Sequence, residues 1–362
     1  MRQISVGPMG RGYRVLVGAG LLGGVGEALR PFAGGGKAVL LTVPPVRELY
    51  LQTVLDSLAD AGVEPIVLTV PDGEDAKTPK TYLDVVGRML NSGAGRDALV
   101  VSLGGGCVGD LAGFVASTYM RGVGLAHIPT TLLAQVDSSI GGKSALNHPR
   151  AKNLMGSFHQ PEVVIADTRA LRTLPPKEVR CGLAEVLKYG AILDSELFRI
   201  LEGKAEEALG LDEGVLEEVV WRSAGIKARV VAADEMDRGE RMLLNFGHTV
   251  GHAIEAALGY RGYSHGEAVA IGMAAESRIA AGLGMIGDGE AERIVSLANR
   301  LGLPTRARGV EVDELIRLMQ GDKKVRGGRL RFALPDAIGS GLVVEVTDRG
   351  LIAEAISGVL GD

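Results

Sequence analysis

Strand-like and helical patterns alternate through the first third of the chain. Short apolar runs typical of strands cover Arg14–Val17, Ala38–Thr42, Pro65–Thr69 and Ala98–Leu103, and helical patterns near 46–61 and 78–91 separate the later runs. This alternation is typical of a sheet whose strands run mostly parallel, with helices on both faces. The sequence therefore predicts a Rossmann-like α/β N-terminal domain.

The second half of the chain has a different pattern. Strand signals stop after the run that ends at Asp167, and helical periodicity dominates from Pro176 to about Gln320. A ribbon over Arg329–Leu334 and Leu342–Val346 and a helical stretch over Leu351–Leu360 close the chain. Because 362 residues exceed one ordinary domain, we predict an α/β domain over 1–169 and a mainly helical domain over 170–362. We expect the active site in the cleft between them.

Composition excludes several classes of protein. The 39 basic residues are outnumbered by 44 acidic ones and are scattered, so no nucleic-acid footprint is present. Cys107 and Cys181 are too few for a disulfide framework or a cysteine zinc site, which suits a reducing compartment. No apolar run reaches the roughly 18 residues that a membrane helix needs. We therefore expect a soluble, cytoplasmic protein without nucleic-acid or membrane partners.

Two glycine-rich turns with the spacing G-x-G-x-x-G follow predicted strands, at Gly18–Gly23 and Gly104–Gly109. A dinucleotide site also needs an acidic residue at the end of the next strand, where the first copy is followed by Val43. The second copy leads into a helical pattern over Asp110–Tyr119, and its three consecutive glycines let backbone N–H groups approach a pyrophosphate. We predict nucleotide binding at the second copy, the alternative being a turn whose glycines serve only packing. The polar segment 72–77 would contact the same ligand or be an ordinary solvated loop.

Three of the six histidines lie close together at His248, His252 and His265. His248 and His252 share one helix face, and a short loop can bring His265 back to them. Such imidazoles, joined by a carboxylate from elsewhere, suit zinc or a similar divalent ion. The alternative is a helix whose histidines bond backbone carbonyls.

Small polar and cationic side chains are dense between residues 121 and 153, where apolar residues are too few to predict a core element. Lys227 and Arg241 add positive charge near the histidines in sequence. Each of these residues alone would be a surface group, but together they predict an anionic substrate, phosphorylated or carboxylated. The residues between 121 and 153 are Arg121, Thr130, Thr131, Asp137, Ser138, Ser139, Lys143, Asn147, Lys152 and Asn153.

These motifs resemble the 3-dehydroquinate synthases over nearly the whole chain. The matching segments are 104–114, 121–122, 129–143, 152–153, 173–175, 185–188, 244–255 and 265–267. The resemblance implies conversion of 3-deoxy-arabino-heptulosonate 7-phosphate to 3-dehydroquinate and phosphate by a homodimer with NAD and zinc or cobalt. Hydride passes to NAD and returns within one turnover, around phosphate elimination and an aldol closure, so the net reaction is a lyase reaction.

The resemblance also implies roles for individual residues. The metal ligands would be Glu185, His248 and His265, whereas spacing alone favours His252 over Glu185. Substrate phosphate and hydroxyl contacts would come from Arg121, Lys152, Asn153, Asn245, His252 and one of Lys323 or Lys324. Lys188, Lys227 and Arg241 would hold the carboxylate and hydroxyls, and Asp137 and Lys143 would link the nicotinamide and substrate sites. The cofactor positions would be Asp72, Gly73, Glu74, Asp75, Ala76, Lys77, Gly106, Cys107, Val108, Gly109, Asp110, Thr130, Thr131, Lys143, Lys152, Ala170, Leu171, Arg172 and Thr173.

The chain departs from the family pattern at two places. Val43 and Pro45 stand where the family usually has an acidic residue and an asparagine, so the usual carboxylate to the adenosine ribose is missing. This bears on NAD affinity and on the preference for NAD over NADP. Ala170 replaces a frequent aromatic residue and thins one wall of the cofactor site.

Two other functions compete with this interpretation. Sugar-phosphate cyclases that make 2-deoxy-scyllo-inosose or 2-epi-5-epi-valiolone resemble the same fold and metal site, but Asn245, His252 and the pair Lys152-Asn153 argue against them. A metal-dependent polyol dehydrogenase would release NADH, and its layout does not account for the segment 136–143.

Overall fold

The computed structural model describes residues 1–7, 12–34, 36–149, 151–237, 239–321 and 330–361. The chain divides into two compact units. The first unit contains Met1–Leu174 and Leu216–Met236, and the second contains Pro175–Val215 and Asp237–Asp362. No pattern in the sequence indicates that a segment from the second half belongs to the first unit. The predicted boundary between residues 169 and 170 stays a prediction.

Seven strands of the first unit form one sheet in the described part of the chain, in the order β1-β2-β9-β6-β5-β3-β4. Neighbouring strands are parallel except for β1, which runs antiparallel to β2. A separate antiparallel hairpin pairs β7 with β8. The strands of the first unit are β1 (Arg2–Val6), β2 (Tyr13–Gly18), β3 (Lys37–Thr42), β4 (Glu64–Thr69), β5 (Leu99–Gly104), β6 (Gly124–Pro129), β7 (Lys143–His148), β8 (Ala151–Phe158) and β9 (Val163–Asp167).

Helices cover both faces of this sheet, as the alternating sequence pattern predicts. Along β3, Val39 and Leu41 pack into one apolar cluster, and Ala38 and Leu40 pack into another on the opposite face. The first cluster includes residues of α3 and α4, and the second includes residues of α1 and α2. These helices are α1 (Val25–Leu29), α2 (Pro44–Asp60), α3 (Pro79–Asn91) and α4 (Gly106–Thr118).

Strand β6 corrects one expectation from the sequence. The stretch 121–153 is predicted to contain no core element, yet β6 lies within it, between β5 and β9, and is buried along almost its whole length. The prediction is wrong because His127 interrupts the apolar pattern of Leu125, Ala126 and Ile128. His127 is itself buried, and its Nδ1 lies 2.7 Å from the Ser102 Oγ of the neighbouring strand, a hydrogen bond that satisfies the ring inside the sheet.

We predict that His127 makes the protein sensitive to mild acid. Burial lowers the pKa of this imidazole from 6.5 to about 4, with a smaller contribution from His159. Because the folded-state pKa is depressed, the stabilisation is present above pH 6.5 and is lost as the pH falls towards 4. We expect His127 to account for about 3 kcal/mol of that loss. In urea unfolding at pH 7 and pH 4, the H127Q variant should show a correspondingly smaller loss than the wild type, and identical losses would contradict the prediction.

The second unit is mainly helical. Its apolar core joins residues of α9, α10, α12 and α13 to Phe332 and Leu334 of the ribbon formed by β10 (Leu330–Ala337) and β11 (Ser340–Val346). The helices from the middle of the chain onwards are α5 (Pro176–Leu193), α6 (Ser195–Gly203), α7 (Ala205–Leu209), α8 (Glu213–Ala233), α9 (His248–Ala257), α10 (His265–Gly282), α11 (Asp288–Arg300), α12 (Val312–Gly321) and α13 (Arg349–Ser357). Among the described residues, no helix combines the length and apolar character needed to cross a membrane.

Candidate functional site

The second unit brings one carboxylate and two imidazoles to a common point. Glu185 lies in the middle of α5, His248 is the first residue of α9, and His265 is the first residue of α10. The Nε2 atoms of His248 and His265 lie 3.4 and 3.3 Å from the same Glu185 oxygen, Oε1. One ligand atom from each residue falls within 4.8 Å of the others. The three residues that the family resemblance implies as metal ligands therefore converge.

Glycines allow the three helices to approach closely enough for this convergence. A Cβ on Gly266 of α10 would lie only 2.5 Å from the Cys181 carbonyl oxygen of α5. A Cβ on Gly251 of α9 would lie 2.9 Å from the Ala268 oxygen of α10, and one on Gly272 would collide with the Gly247 carbonyl. Because real Cβ atoms do not come this close, only glycine permits these backbone contacts.

A buried carboxylate fixes the start of α9. Glu276 of α10 accepts a hydrogen bond of 2.7 Å from the Gly247 amide and one of 3.2 Å from the Val250 amide. Gly247 itself has φ 79, in the left-handed region that favours glycine. The Glu276 carboxylate thus accepts hydrogen bonds from amides at the start of α9 that have no partner within the helix. Its negative charge is also stabilised by the positive end of the helix dipole. This capping holds His248 in place.

Local charges prepare these side chains for a cation. Burial would raise the pKa of Glu185, but the adjacent Lys188 ammonium and the His248 imidazole hold it well below its usual range. Burial lowers the pKa of His248. Burial also opposes protonation of His265, but hydrogen bonds with Glu185 and Glu255 raise its pKa to about 10. Glu185 and His248 are therefore in the state that binds metal, and His265 must release a proton when a cation enters.

The donor set fits a divalent metal. Both oxygens of Glu185 are buried, with Oε2 beside the Lys188 ammonium and Oε1 at 3.4 and 3.3 Å from the Nε2 atoms of His248 and His265. Two imidazole nitrogens and a carboxylate are the protein ligands of many catalytic zinc sites, which keep further positions for substrate or water. The residues present therefore fit the metal that the family resemblance implies.

A second group of possible ligands shares His265. His252, Glu255 and His265 also place one ligand atom each within 4.8 Å of the others. The His265 Nδ1 lies 3.6 Å from the Glu255 Oε2, and the ring centroids of His252 and His265 are 6.0 Å apart. Histidine spacing alone favours His248, His252 and His265, and this group contains only the last two of them. Glu255 was not predicted as a ligand, although it lies three residues after His252 on α9 and therefore shares its helix face.

In the first unit, the two glycine-rich turns differ in how their amides are used. In the first copy, the Asp167 carboxylate accepts hydrogen bonds from the amides of Gly20 and Leu22, at 2.8 and 2.9 Å. These amides of the first turn are therefore already occupied by a carboxylate of the protein itself. The turn Gly104–Gly106 begins α4 without a side-chain cap or an acidic residue in the first turn.

This second turn fits a phosphate. A Cβ on Gly106 would come within 2.9 Å of the Ser138 Oγ, and one on Gly105 would come within 3.0 Å of Thr131. The Ser138 Oγ is buried and has no hydrogen-bond partner among the described residues. A dinucleotide phosphate binds to helix amides that have no side-chain cap, and it needs the space that a side chain would otherwise fill. The start of α4 offers both, with the Ser138 hydroxyl beside it. Burial raises the pKa of the neighbouring Cys107 thiol to about 12, so it stays protonated.

Several predicted cofactor and substrate residues form one polar network in the first unit. The buried Lys77 ammonium lies 2.6 Å from the Asp110 carboxylate and also donates to Asn153. Burial would lower the pKa of Lys77, but Asp110 raises it above its usual value. Nearby, Glu74 forms a 3.2 Å ion pair with Lys152, and it accepts a 2.6 Å hydrogen bond from the Asn147 amide group.

The remaining predicted residues lie at several places. Asp137, on a single π-helical turn, forms an ion pair of 2.6 Å with Lys227 of α8. Arg121 is exposed at the end of a short 3-10 helix, Tyr119–Arg121, where its φ is 74, an unusual value for a residue with a side chain. Arg241 is buried, and the Asn245 side chain donates to the Met242 carbonyl. Lys323 and Lys324 lie outside the described residues.

An aromatic residue that the sequence analysis missed contacts the segment Ala170–Thr173. The Tyr50 hydroxyl of α2 donates a 2.9 Å hydrogen bond to the Ala170 carbonyl and also contacts the Thr173 hydroxyl. Tyr50 thus brings an aromatic ring from another element to the segment where Ala170 lacks one. Its position in a helix gave no signal of this contact.

Comparisons with known proteins identify the family of the chain. Sequence models of the N-terminal and C-terminal parts of 3-dehydroquinate synthase match residues 67–181 and 182–325. A 3-dehydroquinate synthase from Pelotomaculum thermopropionicum is 44% identical over 362 residues, covering 100% of this chain and 98% of that protein.

Two solved structures are similar over nearly the whole chain. A 2-deoxy-scyllo-inosose synthase complexed with carbaglucose-6-phosphate, NAD+ and Co2+ has a TM-score of 0.88 and 27% identity, covering 99% of this chain and 100% of its own. The 2-epi-5-epi-valiolone synthase ValA from Streptomyces hygroscopicus subsp. jinggangensis, with NAD+ and Zn2+ bound, has a TM-score of 0.88 and 29% identity, covering 99% of each chain. The full-length identity to named synthases and the two family matches together show that this chain belongs to the 3-dehydroquinate synthase family.

Proposed function

We propose that the protein converts 3-deoxy-arabino-heptulosonate 7-phosphate to 3-dehydroquinate and phosphate, with NAD and one divalent metal ion. The observation that supports this proposal is the convergence of Glu185, His248 and His265. The chain that contains them belongs to the synthase family along its length. We also propose that it works as a homodimer in the cytoplasm. The family resemblance supports the dimer, and the two free cysteines, Cys107 and Cys181, suit a reducing compartment.

The metal would be held by Glu185, His248 and His265. When bound, it supplies a Lewis acid that polarises the substrate hydroxyl to be oxidised. Lys188 fixes the Glu185 carboxylate through their buried ion pair. Two sets of candidate ligands share His265, and we assign the ion to the set with Glu185 because that carboxylate is fully buried and the Nε2 atoms of both partner imidazoles lie beside it.

The NAD phosphates would lie at the turn Gly104–Gly106, where the amides at the start of α4 have no side-chain cap. When bound, NAD accepts a hydride and later returns it. Lys77 and Asp110 form a charged pair just beyond this turn. Their mutual ion pair fixes both side chains before the cofactor binds, which lowers the cost of ordering them.

Positive charge would bind the anionic substrate. The cationic residues predicted for this role are Arg121, Lys143, Lys152, Lys188, Lys227 and Arg241. Lys227 is held by Asp137 and Lys152 by Glu74, so their ammonium groups are oriented in advance. Fixed positive groups stabilise the departing phosphate by the same electrostatic principle as an oxyanion hole.

The test is phosphate release from 3-deoxy-arabino-heptulosonate 7-phosphate by the purified protein. We expect release that requires both NAD and zinc, is lost after chelation, and gives 3-dehydroquinate without accumulation of NADH. Accumulation of NADH in step with product would indicate a polyol dehydrogenase instead. Absence of phosphate release with NAD and zinc present would indicate another sugar-phosphate cyclase.

A further inference from the structure

A single π-helical turn, Ala134–Ser138, lies beside the phosphate turn of the first unit. A Cβ added to Gly106 would lie 2.9 Å from the Ser138 Oγ, and one added to Gly105 would lie 3.0 Å from the Thr131 methyl carbon. The start of α4 and the segment that contains the π-turn therefore approach each other as closely as glycine allows. Single π-helical turns are frequent at functional sites, so this one merits a closer look at its side chains.

Gln135 holds the π-turn at the edge of the sheet. Its side chain is fully buried and donates hydrogen bonds of 3.1 Å to the Pro129 carbonyl and 2.9 Å to the Asp167 carbonyl. Pro129 is the last residue of β6 and Asp167 the last of β9, and these strands are neighbours in the sheet. One amide group thus ties the π-turn to the carboxyl ends of two parallel strands, the end at which open α/β sheets bind their ligands.

Two adjacent serines near the end of this turn have different surroundings. The Ser139 hydroxyl donates a 2.7 Å hydrogen bond to the Ala134 carbonyl and so stabilises the turn itself. The Ser138 Oγ is also buried, but it has no hydrogen-bond partner among the described residues. A buried hydroxyl without a partner destabilises a folded protein, and such groups call for a bound molecule or a functional role.

The Ser138 hydroxyl lies where a phosphate at the start of α4 would need a donor. The amide nitrogen and the Cβ position of Gly106 are both bonded to its Cα, so an anion that contacts this amide is within reach of the Ser138 Oγ. No acidic side chain lies in the first turn of α4. The carboxylate of Asp137, the preceding residue, is paired with the Lys227 ammonium at 2.6 Å, so its negative charge is compensated. A hydroxyl donates one hydrogen bond, and a phosphate oxygen is a strong acceptor.

We propose that the Ser138 hydroxyl binds the pyrophosphate of NAD directly, by donating a hydrogen bond to a phosphate oxygen at the turn Gly104–Gly106. This inference rests on the proposed function only in taking that turn as the dinucleotide site. Ser138 is then a cofactor-binding residue, and Gln135 is a positioning residue that holds the turn on which Ser138 lies. Because the acceptor is charged, this hydrogen bond contributes more to binding than one between neutral groups.

Titration calorimetry with NAD and with ADP-ribose tests the proposal, since ADP-ribose keeps the pyrophosphate and lacks nicotinamide. We expect S138A to bind both ligands about tenfold more weakly than the wild type. Urea unfolding of the cofactor-free protein should show no loss of stability in S138A, because alanine removes a buried hydroxyl that has no partner. G106A, whose Cβ would lie against the same hydroxyl, should weaken both ligands at least as much.

Ser277 provides a matched control. Its hydroxyl is also buried and has no hydrogen-bond partner among the described residues, but it lies inside α10, in the second unit. S277A should therefore leave both dissociation constants within twofold of the wild-type values.

Each contrary result has a different meaning. Unchanged binding of both ligands in S138A would overturn the inference and leave the proposed function standing. Weaker binding of NAD alone would place the hydroxyl at the nicotinamide half and overturn its assignment to phosphate. Weaker binding together with a loss of stability would show that Ser138 has a structural role instead. Failure of the wild type to bind either ligand would overturn the proposed cofactor site itself.

Discussion

Replacement of His265 by alanine is expected to remove tight zinc binding and to lower turnover by at least about 10³-fold while the protein stays folded. His265 supplies one of three converging ligands, and losing it removes several kcal/mol of charge stabilisation at the reacting hydroxyl. Its side chain is partly exposed at the first position of α10, so truncation there costs little packing. Zinc content after dialysis, steady-state phosphate release and circular dichroism give the three readouts. Full activity with stoichiometric zinc would contradict the ligand assignment.

The H265A variant cannot distinguish the two possible ligand groups, because His265 belongs to both. Replacement of His252 provides the matched control. In our assignment His252 contacts substrate, so H252A should keep its zinc and lose turnover. H248A should lose its zinc, since His248 belongs only to the group with Glu185. The opposite result, zinc lost in H252A and kept in H248A, would place the metal among His252, Glu255 and His265.

Replacement of Gly272 by alanine is expected to destabilise the protein by about 3 kcal/mol and to weaken zinc binding. The added Cβ would collide with the Gly247 carbonyl, next to His248, and rigid backbone on both helices leaves little room to relax. Because alanine has a higher helix propensity than glycine, any loss of stability would come from the close contact between α9 and α10. Urea unfolding of the metal-free protein measures the stability, and competition with a chromophoric chelator measures zinc affinity.

Gly87 of α3 is the control for this substitution. It also lies inside a helix, but a Cβ built there meets no atom within 4 Å. G87A should therefore stabilise the protein by up to about 1 kcal/mol, through helix propensity alone. Equal effects of G87A and G272A would show that the close contact between α9 and α10 does not support the site.

The sequence predicts the first unit well wherever one periodicity dominates. The predicted strands Ala38–Thr42 and Pro65–Thr69 differ from β3 and β4 by one residue each. The helix predicted near 46–61 begins two residues earlier, because Pro44 and Pro45 occupy the first helical positions, where a missing N–H costs nothing. Strand β6 is missed because a buried, hydrogen-bonded histidine looks polar in sequence.

The candidate metal site shows what spacing can and cannot reveal. Local spacing finds His248 and His252, since residues four apart share a helix face. It cannot find Glu185, which lies far away in the chain and reaches the histidines only because Gly251, Gly266 and Gly272 permit close helix packing. The family resemblance supplied that residue, and the structure brings it beside both imidazoles. The contacts of Tyr50 with Ala170 and of Glu255 with His265 join separate elements of the fold, so they could not be predicted from local spacing.

The most direct test of the account is to locate the metal itself. Crystals of the zinc-loaded protein, measured on both sides of the zinc absorption edge, would show the ion as an anomalous difference peak. We predict one peak bonded to the Glu185 carboxylate and to the Nε2 atoms of His248 and His265, at about 2.0–2.2 Å. A peak among His252, Glu255 and the Nδ1 atom of His265, with none at Glu185, would contradict the central claim.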